Sequence, residues 1–144
     1  MIRVQTHAFD TAAELARLKQ GRTDIGGSVV FVGTMRDISD GATVSAMTLE
    51  HYPGMTEKAL EKIIAEAGTR WKVLDCTVIH RHGTLRPTDQ IVLVVVASAH
   101  RGDAFAACEF IMDYLKTQAP FWKKEAAGWV EARAADDQAA ARWK

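Results

Sequence analysis

Apolar and polar positions along the chain lay out alternating helices and strands. "TAAELARLKQG" (11–21) has helical spacing; Thr11 and Glu14 stand where a capping box needs them, and Gly21 supplies a stop. "SVVFVGTM" (28–35) is rich in β-branched residues and reads as a strand, "RDISDGA" (36–42) as a polar loop with an Asp-Gly turn, and "TVSAMTLEHY" (43–52) as a second strand. A helix is predicted from Thr56 to Trp71, with Leu60, Ile63, Ile64 and Ala67 on one face. "VLDCTVIHRHG" (73–83) alternates like a half-buried strand. "QIVLVVVAS" (90–98) is apolar throughout, as a central strand covered on both faces would be. A third helix spans Asp103 to Thr117, with Phe105, Cys108, Ile111, Met112 and Leu115 inward, and Pro120 forces a break after it. "FWKKE" (121–125) and "GWVEA" (128–132) close the pattern as a hairpin around Ala-Ala-Gly. Strands and helices interleave without a strict β-α-β rhythm, so the class is α+β, in one domain over residues 1–144.

Composition narrows what such a domain does. Eighteen basic and eighteen acidic residues cancel to a formal net charge of zero, which excludes the electrostatic footprint of a general nucleic-acid or membrane-surface binder. The two cysteines, Cys76 and Cys108, have no CxxC or metal-ligand spacing and fit small apolar core residues in a reducing compartment. "MIRVQTHAFD" lacks the apolar run of a signal peptide, which points to the cytoplasm.

Candidate chemistry lies at the ends of elements. His100 and Arg101, in "SAHRGDAF", stand where the buried strand gives way to the third helix; free N–H groups and the helix dipole favour an anion there, and Arg101 adds a planar fork suited to phosphate. A solvated loop arginine explains the same residues about equally well. Arg36, at the root of the polar loop, could fold over an anion, although simple solvation accounts for it too. His80 and His82 share a strand face but lack a third ligand, which makes a weak case for a metal. Lys116 falls in the last turn of the third helix, where the dipole welcomes a cation, and Lys123 lies on the closing strand. Taken singly, each lysine is bland. Turned back on one another by Pro120 and flanked by Phe121 and Trp122, the pair is suited to acid–base work, because two ammonium groups stripped of water disfavour double protonation.

"LEHYPGMTEKAL", "SAHR", "FIMDYLKTQAPFWKKE" and "WVEAR" together resemble the catalytic large subunit of molybdopterin synthase, over most of the chain from about Gly33 to Trp143. The resemblance implies an α/β hammerhead fold with an additional small antiparallel β subdomain. The implied activity is sulfur transfer: two sulfurs pass from the thiocarboxylated Gly-Gly C-terminus of a small ubiquitin-like subunit to precursor Z, a cyclic pyranopterin monophosphate, making the dithiolene of molybdopterin. No cofactor and no metal are implied. Two large subunits would form a central dimer within a heterotetramer. Carried over residue by residue, the catalytic lysines fall on Lys116 and Lys123, and the substrate-binding positions on Thr34, Met35, Arg36, His100, Arg101, Lys124, Glu125 and Arg133. The loop before Trp129, only Ala-Ala-Gly, is short for the family. The competing reading is a non-catalytic module that binds a phosphorylated metabolite, and a third is a scaffold that docks the ubiquitin-like protein. A partly desolvated lysine beside an anion site separates the enzyme from both.

Overall fold

A computed structural model describes residues 1–39, 42–43, 45–125, 128–130 and 134–144, with the backbone alone at 38–39, 42, 124–125, 128–130 and 134–135. The elements in chain order are β1 (Ile2–Gln5), α1 (Thr11–Lys19), β2 (Gly27–Thr34), β3 (Ile38–Ser39), β4 (Ala42–Thr43), β5 (Met47–His51) and α2 (Met55–Arg70). They continue with β6 (Asp75–Arg81), β7 (Gly83–Leu85), β8 (Gln90–Ser98), α3 (Arg101–Gln118), β9 (Phe121–Glu125), β10 (Gly128–Val130) and α4 (Ala134–Ala141). The α+β class and the small antiparallel subdomain are both present.

The larger sheet has the order β1-β6-β8-β2 and the smaller β10-β9-β5-β7. In the larger one β8 is central: Val92, Val94 and Val96 face α2 and α3, while Leu93, Val95 and Ala97 face Leu18 of α1. Two covered faces are why its sequence shows no alternation. The same holds for β6, whose residues Cys76 to His80 are all buried, not half-buried as the alternation suggests. Its flanking strand β1, parallel to it, is hidden in "MIRVQ" because four residues are too few to show a period.

Two helical expectations need correcting. Asp10, not Thr11, caps α1, accepting from the Ala13 N–H at 3.1 Å. Glu14 is buried instead and bonds Arg3 and Arg17, so it serves two guanidinium groups rather than a cap. In α3, Phe105 is 60 % exposed and Phe110 is fully buried in its place. The face that meets the sheet runs through Ala104, Ala107, Phe110, Ile111 and Tyr114, and Phe105 falls outside that stripe. Truncating Phe110 to Ala would cost about 3–5 kcal/mol. The Ala-rich tail forms α4, which is held by its end: the Trp143 indole N–H donates to Asp113 at 2.6 Å, and Arg70 donates to the Trp143 carbonyl at 2.8 Å.

"TVSAMTLEHY" is divided rather than continuous. Ala42–Thr43 pairs with Ile38–Ser39 in a short hairpin, and only Met47–His51 joins the smaller sheet. The Asp40-Gly41 turn lies outside the described residues. Gly83, with φ +89, passes the chain from β6 in one sheet to β7 in the other, a left-handed conformation that glycine adopts without strain. Pro120 follows the end of α3, and β9 begins at Phe121, as the sequence predicts. The two sheets thus meet in a seam beneath the C-terminal end of α3.

Candidate active site

Strand register places the candidate residues. Gly27 pairs with Ser98, and Arg101 packs beside Gly27; Thr34, seven residues along β2, pairs with Gln90 at the other end. Those seven residues span roughly 23 Å. Helix α3 runs back over the sheet, and its 18 residues extend about 27 Å. His100 and Arg101 therefore stand at one end of the molecule and Lys116 at the other. Arg36, two residues beyond Thr34, lies at the lysine end. The structure does not bring Arg36 together with His100 and Arg101 within one chain.

At the first end, His100 is the exposed N-cap of α3, its carbonyl accepting the Ser98 hydroxyl, and Arg101 is the exposed first helical residue. The geometry expected of a strand-to-helix junction is there, open to an anion.

The lysine end is built from four elements. Lys116 is exposed in the last turn of α3. Below it, on β6, His80 is 5 % exposed, and its Nδ1 donates to the Arg81 carbonyl at 2.7 Å, which leaves the lone pair on Nε2. Burial pushes its pKa down to about 3; the hydrogen bond to the Arg81 carbonyl opposes this, and the Lys116 ammonium and the neighbouring His51 and His82 rings add smaller downward pushes. Phe121 lies flat on this imidazole, ring centroids 3.7 Å apart and planes at 17°. His51, at the end of β5, stands 4.4 Å from His82 and 5.9 Å from Phe121. Its Nδ1 donates to the Thr56 hydroxyl at 3.0 Å, since that hydroxyl gives its own proton to the Tyr52 carbonyl. Burial, then His82, lowers the His51 pKa. Lys123 is half-buried on β9, opposite Leu49.

Alternation along β9 puts Phe121 and Lys123 on one face and Trp122 on the other, where it meets Tyr52 at 4.7 Å. The two aromatics therefore do not enclose the lysines together, and in the single chain water still reaches Lys116. Met35 is 5 % exposed among Met47, Leu49 and Leu85, so its side chain packs the core of the smaller sheet; Thr34 and Arg36 beside it are exposed. The side chains of Lys124 and Glu125 and all of Arg133 lie outside the described residues. Sequence reasoning treated His80 only as a weak metal ligand and passed over His51. The run "CTVIH" was the available signal, since a histidine ending a buried strand is held by the core. Among the described residues, no group of three or more His, Cys, Asp or Glu side chains is arranged to hold a metal.

The model of the MoaE protein family matches residues 4–118, about four fifths of the chain. The chain belongs to the MoaE family. It is 63 % identical to a molybdopterin synthase catalytic subunit from Ralstonia nicotianae, over 99 % of this chain and 83 % of that one. A molybdopterin synthase catalytic subunit from Pseudomonas aeruginosa is 58 % identical, over 99 % and 98 %. In structure the chain is similar to a molybdopterin biosynthesis MoaE protein from Burkholderia ambifaria, with a TM-score of 0.86, 59 % identity, and 99 % and 97 % of the two chains covered. For a MoaE chain, the lysine end then has a chemical context that geometry alone does not supply. No helix among the described residues is long and apolar enough to cross a membrane.

Proposed function

We propose that this chain is the catalytic subunit of a cytoplasmic molybdopterin synthase. It takes sulfur from the thiocarboxylated C-terminus of a small ubiquitin-like carrier and adds two sulfurs to precursor Z. The observation that carries this reading is the 63 % identity, over nearly all of the chain, to a molybdopterin synthase catalytic subunit. The geometry supports it. Lys116 stands open at a seam, within reach of an incoming tail, and the arriving tail supplies the desolvation that the single chain lacks. A protonated lysine there stabilises negative charge growing on the thiocarboxylate carbonyl, and its partner moves protons as sulfur adds to the pterin and the carrier leaves as a carboxylate.

Substrate phosphate is held by arginine. Arg36 lies at the lysine end of its own chain, whereas Arg101 is fifteen residues, roughly 22 Å, from Lys116 along α3. No small substrate touches both within one copy. A twofold dimer solves this by bringing His100 and Arg101 of one copy to the lysines of the other, so that each site is shared. One carrier at each shared site then makes a heterotetramer.

The test is reconstitution. The chain, a thiocarboxylated carrier and precursor Z together should yield molybdopterin, and carrier ending in an ordinary carboxylate should yield none. Absence of product from the complete mixture overturns the reading.

A further inference from the structure

His80, His51 and Phe121 have no role in the chemistry above, yet they form the floor on which the two lysines stand. On β6, His80 shares the helix-facing side with Cys76 and Val78, and its Cα is paired on both flanks, to Val4 of β1 and Val92 of β8. Its ring is fixed at one edge by the Arg81 carbonyl and on one flat face by Phe121.

Between Lys116 and Lys123 the chain ends a helix, passes Pro120 and starts a strand. The local restraints there are few: proline fixes only its own φ, and the Phe121 N–H reaches back to the Ala119 carbonyl at 2.8 Å. Neither sets the bearing on which β9 leaves the turn. The ladder to β5, which pairs Phe121 with His51 and Lys123 with Leu49, fixes the strand within the smaller sheet, and the stack ties its first residue, Phe121, to a ring anchored in the larger sheet, over which α3 lies. Lys123 is on the same strand face two residues later, roughly 6.6 Å along.

We infer that His80 is a positioning residue of the sulfur-transfer site: its flat, buried ring seats Phe121 and so sets Lys123 against Lys116. This rests on the catalytic reading of the two lysines. The neutrality of the ring fits the role. With its pKa pushed down to about 3 by burial, His80 brings no second cation beneath Lys116 and meets Phe121 with an uncharged face.

The experiment measures turnover of the complex reconstituted with thiocarboxylated carrier and precursor Z. His80→Ala should lower kcat about ten- to a hundredfold, the usual effect of misplacing a reacting group by about 1 Å. KM for the carrier should stay within about twofold, since the tail's binding surface is untouched. His80→Phe, which keeps a flat ring and loses the nitrogens, should restore kcat to within about threefold of the native value, whereas His80→Leu, which fills space without a flat face, should remain at least about tenfold slow. A His80→Ala protein with native kcat and only a lowered melting temperature overturns the inference. So does His80→Phe as slow as His80→Ala, which would place the effect in the imidazole nitrogens, and so does His80→Leu as fast as His80→Phe. Should His80→Ala fail to fold, the Phe and Leu proteins decide the matter. Lys116→Ala is assayed alongside. If it is active, the lysine reading fails; if it is inactive while His80→Ala turns over normally, only the positioning role fails.

Discussion

At the N-terminal end of α3, His100 and Arg101 are neighbours in sequence, exposed, and presented by nothing more than a strand giving way to a helix. At the C-terminal end, Lys116, His80, His51, Phe121 and Lys123 come from four elements and two sheets, with His80 and Phe121 held by a stack and the two histidines by side-chain hydrogen bonds. The first end is suited to holding a charge, because an anion needs donors and little precision. The second is suited to chemistry, because proton transfer needs groups held in register by rigid surroundings. On the proposed function, the helix between them keeps the two tasks apart within one chain, and a dimer would let each copy supply what the other lacks.

The largest effect should come from the chemical end. Lys116→Ala is expected to lower molybdopterin formation at least ~100-fold while melting temperature and carrier binding hold, the range for losing an acid–base group. If Lys116 merely serves the helix dipole, turnover stays normal and stability drops by at most about 1 kcal/mol. The anion end should show a binding loss instead. Arg101→Ala should weaken precursor affinity by about 1.5–3 kcal/mol in calorimetry, the value of a charge-assisted hydrogen bond. Mixing Arg101→Ala and Lys116→Ala chains, at a precursor concentration too low to fill the weakened Arg101→Ala site, then sharpens the comparison. If sites are shared, random reassembly restores one intact site in half of the dimers, ~25 % of native activity. If each chain keeps its site to itself, the mixture stays dead.

A smaller effect follows from pH. Buried His80 refuses a proton until its pKa of about 3, whereas in the unfolded chain it takes one near its ordinary value of 6.5. Its contribution is therefore intact above pH 6.5 and is lost as pH falls from 6.5 toward 3, with a slope approaching about 1.4 kcal/mol per unit. Denaturant titrations of native and His80→Phe protein across that window should show the variant losing stability less steeply. A parallel pair of curves would mean that His80 is not held neutral. The smallest effect is a control remote from both ends: Asp10→Ala removes the cap of α1 and should cost about 1 kcal/mol of stability with unchanged turnover.

Much of the fold was legible because local chemistry and tertiary need agree. Seven consecutive apolar residues at 91–97 and the proline at 120 leave few choices, and β8 and the end of α3 lie where those signals point. The junction at His100–Arg101 was readable for the same reason, being made of consecutive residues. Where expectation and structure part, a distant partner decided. Glu14 was claimed by Arg3 from β1, and Phe105 was turned out by the stripe that α3 lays on the sheet.

What the sequence by itself determined was the three longer helices, the central strands of the larger sheet, the two lysines around a proline and the arginines at element ends. Hydrophobic period, helix breakers and free helix termini act over a few residues and are written in order along the chain. Which of those residues meet was decided only by the tertiary structure. The antiparallel run of β2 against β8, with α3 folded back above them, sends Arg36 to the lysines and leaves Arg101 at the far end. The seam between the sheets carries Phe121 onto His80, 41 positions earlier in the chain. Register and layer packing act between residues that have no local reason to be paired, so no reading of neighbours along the chain could have placed them.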